Sequence, residues 1–178
     1  MTKLLHSAAL ICVSIAVVTD VRHHRIPNWL TIPMMLLGLI LNGLFYGLDG
    51  FFMSLKGLAL GFGLLFFVYL LGGMGGGDVK LLAAVGALLG PRMVFIAFIW
   101  TALVGGGMAI VVVISKKAFN RTFQNLRMLI LSWVLGVSTE DANFTIRNPS
   151  LAKLPYGVAI ALGTALAVWL QRIPRLDY

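Results

Sequence analysis

Apolar residues in this chain come in unbroken blocks and do not alternate with polar ones. The blocks run from Leu4 to Thr19, Trp29 to Tyr46, Phe51 to Leu71, Val79 to Leu89, Met93 to Ile114 and Pro155 to Leu170. A helix needs roughly 17–25 such residues to cross a hydrocarbon core of about 30 Å. Inside that core every backbone amide must find its partner within the protein, which a helix does by itself. The pattern therefore predicts an all-α polytopic membrane protein with about six transmembrane helices. The fourth block is the shortest and the least suited to crossing on length alone. The whole chain, residues 1–178, reads as one membrane-embedded domain without a separate soluble domain.

Polar residues punctuate the blocks. Asp20 to Asn28 form the first connection and Gly47–Asp49 a short turn. A glycine-rich stretch from Gly72 leads to Asp78, and Gly90-Pro91-Arg92 ends the fourth block. Ser115 to Ser150 is the one extended region of mixed polarity. Within it, Phe123–Val137 reads as a cytoplasmic-side amphipathic or re-entrant segment. The N-terminus, with Lys3 ahead of an apolar run, has the outline of a secretory signal. The run ends in Thr19-Asp20-Val21-Arg22-His23-His24-Arg25 without a small-x-small cleavage pattern, so it reads as a retained first span.

Composition supports this reading. Apolar residues make up 60% of the chain and charged residues 11%, whereas a soluble domain is about 25% charged. Abundant glycine suits close helix packing in a bilayer. The single cysteine, Cys12, lies in the first block, which excludes a disulfide framework or a cysteine-rich zinc site within the chain. The net charge of +8 does not point to nucleic acid, because the basic residues lie between apolar blocks, facing lipid headgroups. In a six-span arrangement Arg22, Arg25, Lys80, Lys116, Lys117, Arg121, Arg127, Arg147 and Lys153 share one side. Lys3, Lys56, Arg92, Arg172 and Arg175 fall on the other. The larger group marks the cytoplasmic face, which places both termini outside.

Charge also singles out a pair of acids. Only six acidic residues occur, and two of them, Asp20 and Asp78, follow the first and third crossings. One crossing and three crossings end on the same face, so both carboxylates lie at cytoplasmic helix ends. Asp49 belongs to the opposite face, Glu140 and Asp141 to the mixed-polarity loop and Asp177 to the tail. Two facing carboxylates can share one proton, activate a water and protonate a leaving amine, which is the chemistry of aspartyl proteolysis. The plainer alternative is that each aspartate marks a helix boundary at headgroup level.

The surroundings of each aspartate add detail. Gly75-Gly76-Gly77 precede Asp78, and bare glycine backbone allows an extended substrate to approach. A flexible turn with tight helix packing would use the same residues. The stretch is not a phosphate loop, since it lacks spaced glycines running into Gly-Lys-Ser/Thr. After Asp20, Pro27 biases Ile26 away from helix, and Asn28 is placed to cap the second span. His23 and His24 are adjacent, diverge in direction and have no further ligand in view, so neither metal nor cofactor is expected. Lys80 fits three roles: favouring the charged form of a nearby carboxylate, binding lipid phosphate, or serving as an ordinary positive-inside lysine.

At these residues the chain resembles the prepilin peptidase family, the membrane aspartyl peptidases with a Gly-x-Gly-Asp motif. Asp20 with Arg25-Ile26-Pro27-Asn28 is similar to the family's first aspartate and its downstream Ile-Pro-Asn. Gly75-Gly76-Gly77-Asp78 with Val79-Lys80-Leu81 is similar to the second aspartate motif and its following lysine. Leu154-Pro155-Tyr156-Gly157 is similar to the late Pro-aromatic-Gly element. Presenilin-like enzymes also carry a Gly-x-Gly-Asp, but the Arg-Ile-Pro-Asn segment and small size favour the prepilin branch.

The resemblance implies a catalytic pair, Asp20 and Asp78, with Gly75, Gly77, Lys80, Pro27, Asn28, Pro155 and Gly157 in supporting or substrate-binding roles. It implies prepilin or pseudopilin substrates with a short basic leader, cleaved on the cytoplasmic side of the bacterial inner membrane, and association with pilus assembly machinery. Larger family members carry an N-terminal domain with paired cysteines, linked to N-methylation. Nothing here matches it, so the chain looks like the compact form associated with Flp/Tad-type pili, without structural zinc or methyltransferase activity. From the residues alone two rival classes stay open. One is a small proton- or cation-coupled transporter, whose acids would lie nearer the bilayer midplane. The other is a non-enzymatic subunit of a pilus or secretion machine.

Overall fold

The computed structural model describes residues 2–70, 74–115 and 155–171. The expected segment Phe123–Val137 and the basic tail lie outside the described residues. Five helices are described: α1 (Thr2–His23), α2 (Asn28–Leu70), α3 (Gly76–Leu89), α4 (Pro91–Ser115) and α5 (Tyr156–Gln171). The chain divides into two compact units, Met1–Gly105 with Pro155–Tyr178, and Gly106–Leu154. Of the second, only the end of α4 is described.

Among the described residues three helices are long and apolar enough to cross a membrane: α1, α2 and the Pro91–Val112 part of α4. At 43 residues α2 would extend about 65 Å if straight, twice a hydrocarbon core. It is not straight. Gly47 adopts φ 65°, ψ −150°, a region open essentially to glycine alone. Beyond it the chain folds back, so that Gly43 lies beside Phe51 and Gly50 beside Asn42 and Tyr46. A straight helix would hold residues 42 and 50 about 12 Å apart. The expected second and third spans are thus the two arms of α2, residues 28–46 and 48–70. The turn is tighter than the sequence suggested, since Leu48 and Asp49 are already helical.

The core of the first unit is α3. A helix apolar on every side must be enclosed, and Leu81, Leu82, Ala83, Ala84, Val85 and Ala87 are all fully buried. Helices α1, α2 and α5 pack around it. The arm 28–46 runs parallel to α3, with Asn28 beside Lys80 and Gly38 against Ala87. The arm 48–70 runs antiparallel, with Gly57 on Gly86 and Gly61 on Leu82. At each glycine a Cβ would strike the backbone of α3, so the approach is backbone to backbone, as small residues permit in membranes.

The end of α3 has carbonyls without helical partners. Ser54 Oγ donates to the Ala87 carbonyl at 2.6 Å, and Asn42 Nδ2 donates to the same oxygen at 3.1 Å. Both donors come from α2, so the hairpin caps the helix it encloses. Gly90, at φ 82°, returns its N–H to the Gly86 carbonyl, and Pro91 opens α4. Helix α4 meets α5 where Gly163 lies against Ala97 and Thr101. Outward-facing Leu44, Leu48 and Phe67 are more than 70% exposed, an arrangement that suits lipid and not water.

Candidate active site

Asp20 lies in the last turn of α1 and Asp78 in the first turn of α3. Both are buried, at 7% and 8% exposure, which is rare for carboxylates without partners. Packing of α1 on α3 brings the two together, and they interact electrostatically.

The chain reverses direction soon after Asp20. The His24 N–H donates to the Asp20 carbonyl at 2.8 Å, closing α1, and His24 takes a positive φ of 49°. The Pro27 carbonyl then accepts from the N–H groups of Leu30 and Thr31, opening α2. The Asn28 side chain does not provide the expected cap. Its Oδ1 accepts instead from Lys80 Nζ at 2.9 Å. The ammonium of Lys80 is thereby engaged on the connection between α1 and α2.

At the start of α3, Gly75 is the N-cap in an extended conformation. Its N–H donates to Asp78 Oδ2 at 3.1 Å, and the Asp78 N–H donates to the Gly75 carbonyl at 3.1 Å. This reciprocal cap uses Asp78 at the third helical position. Gly76 and Gly77 are already helical, whereas the sequence suggested an open glycine stretch up to Val79. Gly77 faces the protein. A Cβ there would lie 3.0 Å from Ile26 Cβ and 3.2 Å from its carbonyl oxygen. Of the three glycines only Gly75 is exposed.

Helix α5 supplies the third side. The Pro155 carbonyl accepts the Val158 N–H at 3.0 Å and starts the helix. The Gly157 N–H donates to Asp20 Oδ2 at 2.8 Å in a buried bond. A Cβ at Gly157 would stand 2.8 Å from that oxygen, so glycine is required for the carboxylate to come this close. Tyr156, its neighbour, packs by Gly105 and interacts electrostatically with Asp78. The first turn of α5 therefore addresses both carboxylates. Each aspartate has one oxygen held by a glycine amide at a helix N-terminus, where the helix dipole favours negative charge.

Of the sequence-derived residues, Gly157 is bonded to Asp20 and Gly75 to Asp78, and the two aspartates interact electrostatically. Gly77 with Ile26 and Lys80 with Asn28 form an adjoining contact with α3, Pro27 accepts the first amides of α2, and Pro155 opens α5. Tyr156 and Ile26 belong to the same neighbourhood although the sequence assigned them no role. Their places inside Pro155-Tyr156-Gly157 and Ile26-Pro27-Asn28 were the available signal. Among the described residues no group of three or more histidine, cysteine or acidic side chains gathers as a metal set would.

The chain is similar to several known proteins. A prepilin leader peptidase/N-methyltransferase of Bacillus subtilis (strain 168) is 39% identical over 93 residues, covering 51% of this chain and 37% of that protein. The protein of the same description from Stutzerimonas stutzeri is 36% identical over 112 residues, covering 58% and 38%. The one from Escherichia coli (strain K12) is 38% identical over 101 residues, covering 53% and 44%. The chain thus aligns with less than half the length of these relatives. No solved structure matches it. Residues 7–110, which contain both aspartates and more than half of the chain, match the type IV leader peptidase family, and the chain belongs to that family.

Proposed function

We propose that this protein is a membrane aspartyl endopeptidase that removes the short basic leader from type IV or Flp-type prepilins or pseudopilins. The observation that carries the reading is the pair of buried, electrostatically coupled carboxylates, Asp20 on α1 and Asp78 on α3, in a chain of the type IV leader peptidase family. A pair of carboxylates at one site can divide the acid and base roles of peptide hydrolysis between them. One acts as general base toward a water molecule. The other, protonated, polarises the scissile carbonyl. Collapse of the tetrahedral intermediate then sends a proton to the leaving amine. With Oδ2 of each aspartate bound to a glycine amide, Oδ1 is the oxygen left to face water and substrate.

Location follows from charge. With both arms of α2 crossing, and α3 and α5 completing the bundle, the chain crosses about six times as a multi-pass protein of the bacterial inner membrane. The basic connections, and with them the dyad, face the cytoplasm. A substrate anchored by its own apolar helix presents its leader junction at the depth of the carboxylates, and confinement to the membrane plane removes part of the search entropy. The supporting residues are Gly75, exposed beside Asp78, and Gly157, which orients Asp20. Pilus assembly machinery and membrane lipids are the further partners. Methyl transfer, the other activity in the relatives' names, falls outside the proposal, since paired carboxylates speak to hydrolysis alone.

The test is co-expression with an epitope-tagged prepilin, with Asp20→Ala and Asp78→Ala alongside wild type. A size shift present in wild type and lost in both variants supports the dyad. Unchanged cleavage by membrane-inserted variants sinks it.

A further inference from the structure

The bonds that hold each carboxylate do not set the distance between them. Asp20 is oriented by the Gly157 amide of α5, and Asp78 by the Gly75 amide at the start of its own helix. The spacing depends on how the end of α1 is tied to the beginning of α3. Beside the direct packing of α1 on α3, two contacts contribute to that tie. Gly77, the residue before Asp78, lies against the backbone and side chain of buried Ile26, where a Cβ would be a tight fit. Lys80, two residues after Asp78, donates through Nζ to Asn28 Oδ1 at 2.9 Å. Residue 26 lies in the connection that follows Asp20 and residue 28 opens α2, so both ties brace the α1–α2 junction against the first two turns of α3.

We infer that Lys80 and Asn28 form a positioning clamp for the Asp20–Asp78 pair, an inference that rests on the peptidase reading above. Neither residue touches the reacting atoms. The ammonium adds a charge-assisted hydrogen bond to an otherwise apolar contact. Lysine suits the task, because its apolar stem covers helix surface while its head reaches a polar partner. At Asp78 and Lys80, two residues apart on one helix, side chains point to different sides. The lysine can therefore brace α3 without competing for the carboxylate. A dyad is sensitive to such bracing, since a misplacement of about 1 Å can cost about 100-fold in rate.

The test measures kcat and KM on a tagged prepilin with the intact protein in detergent or vesicles. The variants are Lys80→Met, Asn28→Leu, the two combined, and Asn28→Asp, with Asp20→Ala and Asp78→Ala as controls. The clamp predicts that each single variant lowers kcat by about 10-fold or more with KM little changed. The combined variant should be no worse than the weaker single one, because either loss already breaks the bond. Asn28→Asp keeps an acceptor for the ammonium and should stay within about threefold of wild type. If Lys80→Met does not accumulate, Asn28→Leu and Asn28→Asp carry the comparison alone, since Asn28 is an exposed side chain. Wild-type kcat in Lys80→Met or Asn28→Leu overturns the clamp. So do multiplicative effects in the combined variant, a change confined to KM, or a defect that anionic lipid restores. Inactive aspartate controls beside an active Lys80→Met would reject the clamp and leave the dyad standing. Active aspartate controls would reject the dyad itself.

Discussion

The backbone N–H of Gly157 donates to Asp20 Oδ2 at 2.8 Å, joining residues 137 positions apart in the chain. A Cβ at position 157 would lie 2.8 Å from that oxygen and 3.1 Å from Asp20 Cβ. Asp20 is buried and has little room to withdraw. Gly157→Ala should therefore displace the carboxylate and lower cleavage by about 100-fold, the cost of a misplacement of about 1 Å. Cleavage of a tagged prepilin, read beside membrane accumulation of the variant, checks this. Full activity in Gly157→Ala would show that the close contact is not needed.

Gly57 and Gly86 meet backbone to backbone, each where a Cβ of the other would stand. Backbone atoms cannot rotate aside as a side chain end can. Gly57→Ala or Gly86→Ala should destabilise the protein by about 1–3 kcal/mol or more, the usual range for overpacking. Thermal melting in detergent measures the loss. A melting temperature equal to wild type would mean that the arm 48–70 shifts away from α3 without penalty.

Ser54 and Asn42 both donate to the Ala87 carbonyl at the end of α3. Removing one leaves the other. Ser54→Ala alone should cost about 1 kcal/mol. Combined with Asn42→Leu it should cost more than the sum of the two single changes, because the last donor from α2 to a buried carbonyl is then gone. A cycle of melting measurements on the four proteins decides, and strict additivity would count against a shared acceptor.

Gly47 has open space around its Cα but a positive φ of 65° with ψ −150°. Gly47→Ala should cost about 1–3 kcal/mol through backbone strain alone. Limited proteolysis in membranes should then cut near residue 47 faster than in wild type. An unchanged cleavage pattern would show that an alanine fits the turn.

Much of the architecture was legible in the chain. Apolar blocks long enough for a bilayer announce α1, both arms of α2 and α4, because hydrocarbon imposes the same demand along the whole length of a span. The break at Gly47 was visible as a polar turn, although its tightness was not. The two aspartates stood out because acids are rare here and the six-span reading puts these two on one face. The start of α3 was misplaced by three residues, since glycine run suggests loop, while Asp78 capping Gly75 draws Gly76 and Gly77 into the helix.

The sequence by itself determined an all-helical chain with apolar segments suited to a membrane, and it singled out Asp20 and Asp78 as the candidate pair. These follow from local composition and from counting crossings. Only the tertiary structure decided that Gly157 holds Asp20, that the empty side of Gly77 is filled by Ile26, and that Lys80 reaches Asn28 and not a carboxylate. Each of these joins residues far apart in the chain. Helix packing chooses such partners by shape and by the need to satisfy buried polar groups, and neither is written in the spacing of residues along one segment.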